Sequence, residues 1–298
     1  MKNVVEVTHL EKVYGTFDAV QNVSFSLEEN KIYGLLGRNG AGKTTLMNMI
    51  SAQIFPTSGD LKVFGEAPYE NNKVLSQICF IKEGQKYPDN FRVIDVLEVA
   101  KVIFPNWDAD FANILMKDFN LPLKRRIKKL SRGMLSAVGI IIGLASRAPL
   151  TIFDEPYLGL DAVARGIFYD KLMEDYTEHP RTVVLSTHLI DEVSNLLEHI
   201  LVIDNGKLII NQEAEDLRGM AFTVTGQVAK VEAFLAGKET VLREPFGGLL
   251  SATVIHANDS LDHKQAAANG LEISPVSLQQ LIVHLTNGKS EQKGAIAK

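Results

Sequence analysis

The sequence predicts an α/β fold: a mostly parallel sheet covered by helices, with an antiparallel β subdomain, a helical subdomain and a small C-terminal α+β domain. Three observations predict it. Short apolar runs at 31–36, 150–153, 182–186 and 200–203 have the near-continuous hydrophobicity of strands buried on both faces, and helical patterning lies between them. Residues 4–7 and 20–27 instead alternate apolar and polar, as strands with one wet face do. A glycine-rich stretch joins the first buried strand to a helix expected over 43–54.

Between 89 and 145 helical patterning dominates, broken at Pro105 and Pro122, so a helical insertion beside the sheet is expected there. The turn Asp204-Asn205-Gly206-Lys207 closes the strand at 200–203. Beyond Arg218-Gly219 the texture changes to short strands and helices rich in alanine and glycine. The domains are therefore expected at 1–217 and 218–288, with 289–298 a polar, disordered tail.

At 298 residues the chain is long enough for one large and one small domain. A net charge of -5 argues against a surface built to neutralise phosphate backbones, and no nucleic-acid partner is expected. The one basic cluster, Lys124-Arg125-Arg126-Ile127-Lys128-Lys129, reads as a solvated face or as steering for an anionic ligand. Cys79 is the only cysteine, which excludes an internal disulfide and a cysteine-rich zinc site and points to a reducing compartment. No secretory signal is expected from the start of the chain, and the longest small-and-apolar run, 137–145, falls far below the roughly 20 residues that span a bilayer.

Gly37-Arg38-Asn39-Gly40-Ala41-Gly42-Lys43-Thr44-Thr45 satisfies G-x-x-x-x-G-K-[ST], the P-loop pattern, between a strand and a helix. Glycines let the backbone curl so that successive N–H groups face the β- and γ-phosphates of a nucleotide, where the helix N-terminus adds its dipole. Lys43 supplies positive charge to the same oxygens, and Thr44 offers a hydroxyl to Mg²⁺. The strand at 150–153 delivers Asp154 and Glu155 at its C-terminal end, the edge where such sheets bind ligands. Asp154 is the expected Mg²⁺ ligand, and Glu155 the expected general base that orients the attacking water. A P-loop alone is compatible with a kinase or GTPase.

Leu130-Ser131-Arg132-Gly133-Met134, some twenty residues before Asp154-Glu155, narrows the choice, because the chain here resembles the ATP-binding subunit of bacterial ABC transporters, of single-cassette, exporter type. Tyr14, Leu158-Gly159-Leu160-Asp161 and Ser186-Thr187-His188 follow the same family order, and the resemblance covers residues 2–217. It implies a P-loop NTPase of the ABC ATPase type, binding ATP and Mg²⁺ and working as a homodimer or as a heterodimer with a paralogue. It also implies a separate transmembrane permease that holds the chain on the inner face of the membrane.

By the same resemblance Tyr14 stacks on adenine, His188 reaches the γ-phosphate and steadies Glu155, and Asp161 lies in the loop coupling the two sites; a helix cap is Asp161's plainer reading. Ser131 and Gly133 would bind the γ-phosphate held by the opposite subunit. The chain departs from the family at Arg132 and Met134, where glycine and glutamine are usual, and at Glu83, which stands where a metal-touching glutamine is expected, with Gln85 competing for that place. Arg132 is expected to face solvent or to add charge near the phosphate. Residues 87–89 and the helical stretch after them would grip the permease. Two rivals remain at this stage: a soluble ABC-type ATPase acting on the ribosome or DNA, which the single cassette disfavours, and a regulator that binds ATP but scarcely hydrolyses it.

Overall fold

A computed structural model describes residues 2–238, 240–255 and 260–283, so the tail expected at 289–298 lies outside the described residues. Strand β1 (Asn3–Tyr14) pairs antiparallel with β2 (Phe17–Glu28), and both run well beyond the alternation visible in the sequence. The register explains why. It slips between Val7 and Leu10 and again before Lys12, and His9 and Asn22 turn out of the ladder at φ 48° and 49°. Each bulge resets which residues face inward, so a period of two is lost while pairing continues.

Helix α1 (Lys43–Ile50) stops short of the expected Ile54 because Ala52 takes the left-handed conformation, φ 55°. Strand β4 (Ser58–Val63), not anticipated, completes the sheet β2-β1-β4; only Leu61 and Val63 are buried in it, too few to give a pattern.

The main sheet has six strands in the order β5-β6-β7-β3-β8-β9. Its members are β3 (Ile32–Leu36), β5 (Ile78–Ile81), β6 (Leu150–Asp154), β7 (Thr182–Thr187), β8 (His199–Asp204) and β9 (Lys207–Glu213). β5 through β8 are parallel, and every residue of β3, β6 and β7 is buried, as strands covered on both faces must be. One apolar core, including Leu35, Met47, Ile152, Val184 and Leu201, joins this sheet, α1 and the antiparallel sheet.

After the short α2 (Asn72–Leu75), the helical stretch resolves into α3 (Val93–Ile103), α4 (Ala109–Asp118) and α5 (Arg132–Ala145). Pro105 and Pro122 fall in the links between them, and Asp108 caps α4 by accepting from Phe111 N at 2.8 Å. The apolar run at 137–145 is the buried half of α5, whose Gly143 lets the Phe153 ring approach; a Cβ there would meet that ring at 2.3 Å. Among the described residues no helix is long and apolar enough to cross a membrane. Helix α6 (Ala162–Glu178) follows β6.

Two compact units divide the chain, one within residues 1–188 and 196–211, the other within 189–195 and 212–298. The second contains α7 (Ile190–Val193), α8 (Ala214–Arg218), α9 (Val228–Leu235), α10 (Ser260–Ala268) and a four-stranded antiparallel sheet. Its strands are β10 (Ala221–Gln227), β11 (Thr240–Phe246), β12 (Leu249–Ile255) and β13 (Glu272–Pro275), in the order β11-β12-β10-β13. Phe222, Val224, Val231, Phe234 and Val254 form its core.

A buried charge network braces the first unit. Asp175 accepts from Arg181 Nη1 at 2.6 Å and from Arg147 Nη2 at 2.8 Å, and Arg147 Nη1 reaches Asp108 at 2.8 Å. Asp175 and Arg181 expose only 2% and 4% of their side chains. Removing one partner strands a buried charge. Asp175→Ala is therefore expected to lower unfolding free energy by about 3–5 kcal/mol in urea titration.

Candidate functional site

The register of the main sheet assembles the site. Leu36, the last residue of β3, lies opposite Thr187 at the end of β7, and Ser186 lies opposite Asp154 at the end of β6. Three neighbouring parallel strands thus release the 37–45 loop, Asp154-Glu155 and His188 at one edge.

The loop at that edge has the backbone that glycine alone tolerates. Gly42 sits at φ 111° as the N-terminal cap of α1, and a Cβ on it would lie 2.4 Å from the carbonyl oxygen of Ala19. Gly37 and Gly40 also have positive φ. Asn39 is exposed, Ala41 is buried with its N–H on Arg38 O at 3.1 Å, and Thr45 lies in the first turn of α1. Lys43 is buried and donates to the carbonyl oxygens of Gly37 and Arg38 at 2.8 and 3.2 Å. Burial holds its ammonium below the usual lysine range, opposed by the charges of Glu155 and Asp154. The geometry is that of a loop folded back on its own lysine.

Thr44 Oγ1 donates to Asp154 Oδ2 at 2.7 Å, placing a hydroxyl and a buried carboxylate together. Two hard oxygen donors at a phosphate-binding loop suit Mg²⁺, which takes few protein ligands and completes its shell from phosphates and water.

Glu155 is also buried, and its backbone is left-handed at φ 48°. Its Oε2 accepts from His188 Nδ1 at 2.8 Å and from the Tyr157 hydroxyl. A carboxylate only accepts, so this bond puts the ring proton of His188 on Nδ1. The other oxygen, Oε1, is buried without a protein partner. Burial, followed by the bond to Glu155, pushes the Tyr157 phenol well above the usual tyrosine range and keeps it protonated as a donor. Tyr157 carries no signal in the sequence until the turn folds it back onto the carboxylate, and Thr187, which the sequence offers only as part of Ser186-Thr187-His188, meets its hydroxyl.

The remaining expected residues lie elsewhere on the same unit. Tyr14 ends β1 with its ring about half exposed and Lys12 Nζ 5.1 Å from its centre, so it is not a buried strand-end tyrosine. Ser131 caps α5, accepting from Met134 N at 3.2 Å, and Asp161 caps α6, accepting from Ala164 N at 2.8 Å. Gly133 packs directly under the backbone at Gly159, where a Cβ would lie 2.4 Å from the carbonyl oxygen. Among the described residues no hydrogen bond joins Ser131, Gly133 or Asp161 to the 37–45 loop.

Arg132 faces solvent, with 64% of its side chain exposed. It also pairs with Glu83, Nη2 to Oε1 at 3.1 Å, so two of the three residues that depart from the family pattern meet each other. Gln85 lies two residues further along the same segment, lining with Arg132 and Glu155 a cleft of about 470 Å³.

The family described as ABC transporter matches residues 20–158. The bacitracin transport ATP-binding protein BcrA of Bacillus licheniformis is 32% identical over 212 residues, 70% of this chain and 69% of that protein. The ABC transporter ATP-binding protein YtrB of Bacillus subtilis (strain 168) is 26% identical over 215 residues, 72% of this chain and 74% of that protein. Among solved structures, the ATP-binding cassette MJ0796, a dimer in a post-hydrolysis state bound to ADP and Pi, superimposes with a TM-score of 0.63 at 21% identity, covering 70% of this chain and 98% of that one.

Both partners of the Arg132–Glu83 pair are more than half exposed, so water screens their attraction. A double-mutant cycle with Arg132→Ala and Glu83→Ala, read by urea unfolding, is expected to give a coupling below about 1 kcal/mol.

Proposed function

The chain belongs to the family of ABC transporter ATP-binding proteins, and from that premise we propose how its residues divide the work of binding and hydrolysing ATP. The observation that carries the reading is the shared strand edge, which gathers a phosphate loop, a hydroxyl–carboxylate pair and a buried carboxylate–imidazole pair.

The backbone N–H groups over Gly37, Asn39, Gly40, Ala41 and Gly42, with the N-terminus of α1, cradle the β- and γ-phosphates. Lys43, already freed of much of its water, trades its carbonyl partners for phosphate oxygens, and Thr45 adds a donor at the same end of the helix. Thr44 and Asp154 hold Mg²⁺, which supplies charge neutralisation for the transferred phosphoryl group. Glu155 takes the proton of the attacking water, and His188 steadies it. Tyr14 stacks on the adenine.

The second half of the reading is a dimer. Ser131 and Gly133, at the exposed N-terminus of α5, would meet the γ-phosphate carried by a second subunit, with Asp161 beside them. The dimeric cassette with the similar fold supports this arrangement, whether the partner is a copy or a paralogue. Glu83 is the remaining candidate for the metal; to serve there it would have to leave Arg132.

For the transmembrane permease, the fitting surface is an apolar groove of about 450 Å³ beside α3, lined by Tyr87, Phe91, Val96, Val99 and Ile103 among others. Val99 and Ile103 are exposed there, as a surface awaiting an apolar partner helix would leave them. Through that permease the chain would sit on the inner face of the membrane.

Glu155→Gln tests the assignment. Turnover of ATP is expected to fall about 10²- to 10⁴-fold, while ATP still binds and the ATP-bound dimer accumulates on size-exclusion chromatography. Equal turnover in the two proteins would favour the regulator reading, in which the chain binds ATP without using Glu155.

A further inference from the structure

Glu155 is held in a conformation that a glutamate does not choose. Its φ of 48° strains the backbone, and such strain persists only where the surroundings over-determine it. Its carboxylate is buried, and a buried polar group needs hydrogen bonds. His188 supplies one of them, at 2.8 Å, but the His188 side chain is half exposed and lies at the start of a loop. Something firmer has to fix the carboxylate.

Tyr157 fits that requirement. It is buried, and every hydrogen-bonding position of its hydroxyl is taken. Its single proton goes to Glu155 Oε2, which leaves Thr187 Oγ1 to donate to the phenol oxygen, and the His188 N–H donates to the same oxygen at 3.3 Å. The tyrosine is thereby anchored to the end of β7, the strand next to the one that carries Glu155. With Oε2 occupied twice, the lone pairs of Glu155 that face no protein donor are those of Oε1.

Resting on the assignment of Glu155 as base, we propose that Tyr157 is a positioning residue for hydrolysis: its hydroxyl pins one oxygen of Glu155 so that the other is presented to the attacking water. The proton of the water passes to Oε1; Tyr157 neither gains nor loses one and touches neither water nor nucleotide. Thr187 sets the direction of the tyrosine hydroxyl and so contributes at one further remove.

Tyr157→Phe deletes that hydroxyl and keeps the ring, which lies 6.0 Å from the imidazole of His188. Loss of a hydrogen bond to a charged group predicts a fall in kcat of about 10- to 100-fold, with KM for ATP and ATP-driven dimerisation at wild-type values, while the buried partners left unmatched lower Tm modestly. In a Glu155→Gln background the same substitution is expected to change turnover by less than about twofold, because the two residues act as one unit. Thr187→Val, which keeps the shape of the side chain, provides a second route and is expected to lower kcat in the same sense with KM unchanged.

A wild-type kcat in Tyr157→Phe overturns the proposal, as does a loss of kcat that comes with a raised KM or that persists undiminished in the Glu155→Gln background, the signature of a merely structural prop. Wild-type turnover no greater than that of Glu155→Gln overturns the assignment of the base as well. Wild-type turnover well above Glu155→Gln, with Tyr157→Phe equal to wild type, overturns the positioning role alone.

Discussion

Parallel register is the constraint on which this molecule depends. In a parallel sheet all strands release their chains at the same edge, and residues paired across neighbouring strands arrive there level with one another. Leu36 beside Thr187, and Ser186 beside Asp154, leave no freedom in where the next few residues begin. Every residue of β3, β6 and β7 is buried, so a slip in this register would have to repack close-fitted side chains against the covering layers on both faces. Site geometry is in this sense a consequence of core burial. A change that loosened the sheet would misplace the 37–45 loop and the carboxylates together, without touching either.

The edge so created concentrates charge in a place with little water. Lys43, Asp154 and Glu155 are all buried, and each finds different partners: the lysine loop carbonyls, Asp154 the Thr44 hydroxyl, and one oxygen of Glu155 both His188 and Tyr157. Burial makes every one of these bonds stronger than it would be in water and makes an unmatched group costly. Lys43 illustrates the balance, since desolvation lowers its proton affinity while the two carboxylates raise it. A site of this kind is preorganised, because its donors are fixed before any ligand arrives.

How much of this could be read in the sequence follows from how local each feature is. The 37–45 loop, Asp154 and Glu155 were legible because strand, turn and helix are contiguous and each residue type has a local steric or chemical reason. The buried strands were legible because continuous hydrophobicity survives without a partner. The full length of β1 was not, since the bulge at His9 breaks the alternation that marks a strand. Nor was the end of α1, which a single left-handed residue decides. Tyr157 and the meeting of Arg132 with Glu83 were invisible for a deeper reason: both are contacts across loops, and no periodicity reports where a loop side chain lands.

The loops that carry Ser131 and Asp161 show how the two halves of the proposed dimer site can be made to move as one. Gly133 fits beneath Gly159 with no room for a methyl group, and Ser136 Oγ donates to Leu158 O at 2.7 Å. The first turn of α5 is thus fastened to the segment that runs from Tyr157 into the Asp161 cap of α6. Tyr157 in turn grips Glu155. The α5 N-terminus and Glu155 are therefore joined by a short chain of packed backbone and hydrogen bonds, all within one subunit. In the proposed dimer the α5 N-terminus answers to the nucleotide of the opposite subunit, so the same chain of contacts gives each base a physical connection to its neighbour's phosphate. The close approach at Gly133 and the hydroxyl of Tyr157 are the two ends of that chain of contacts.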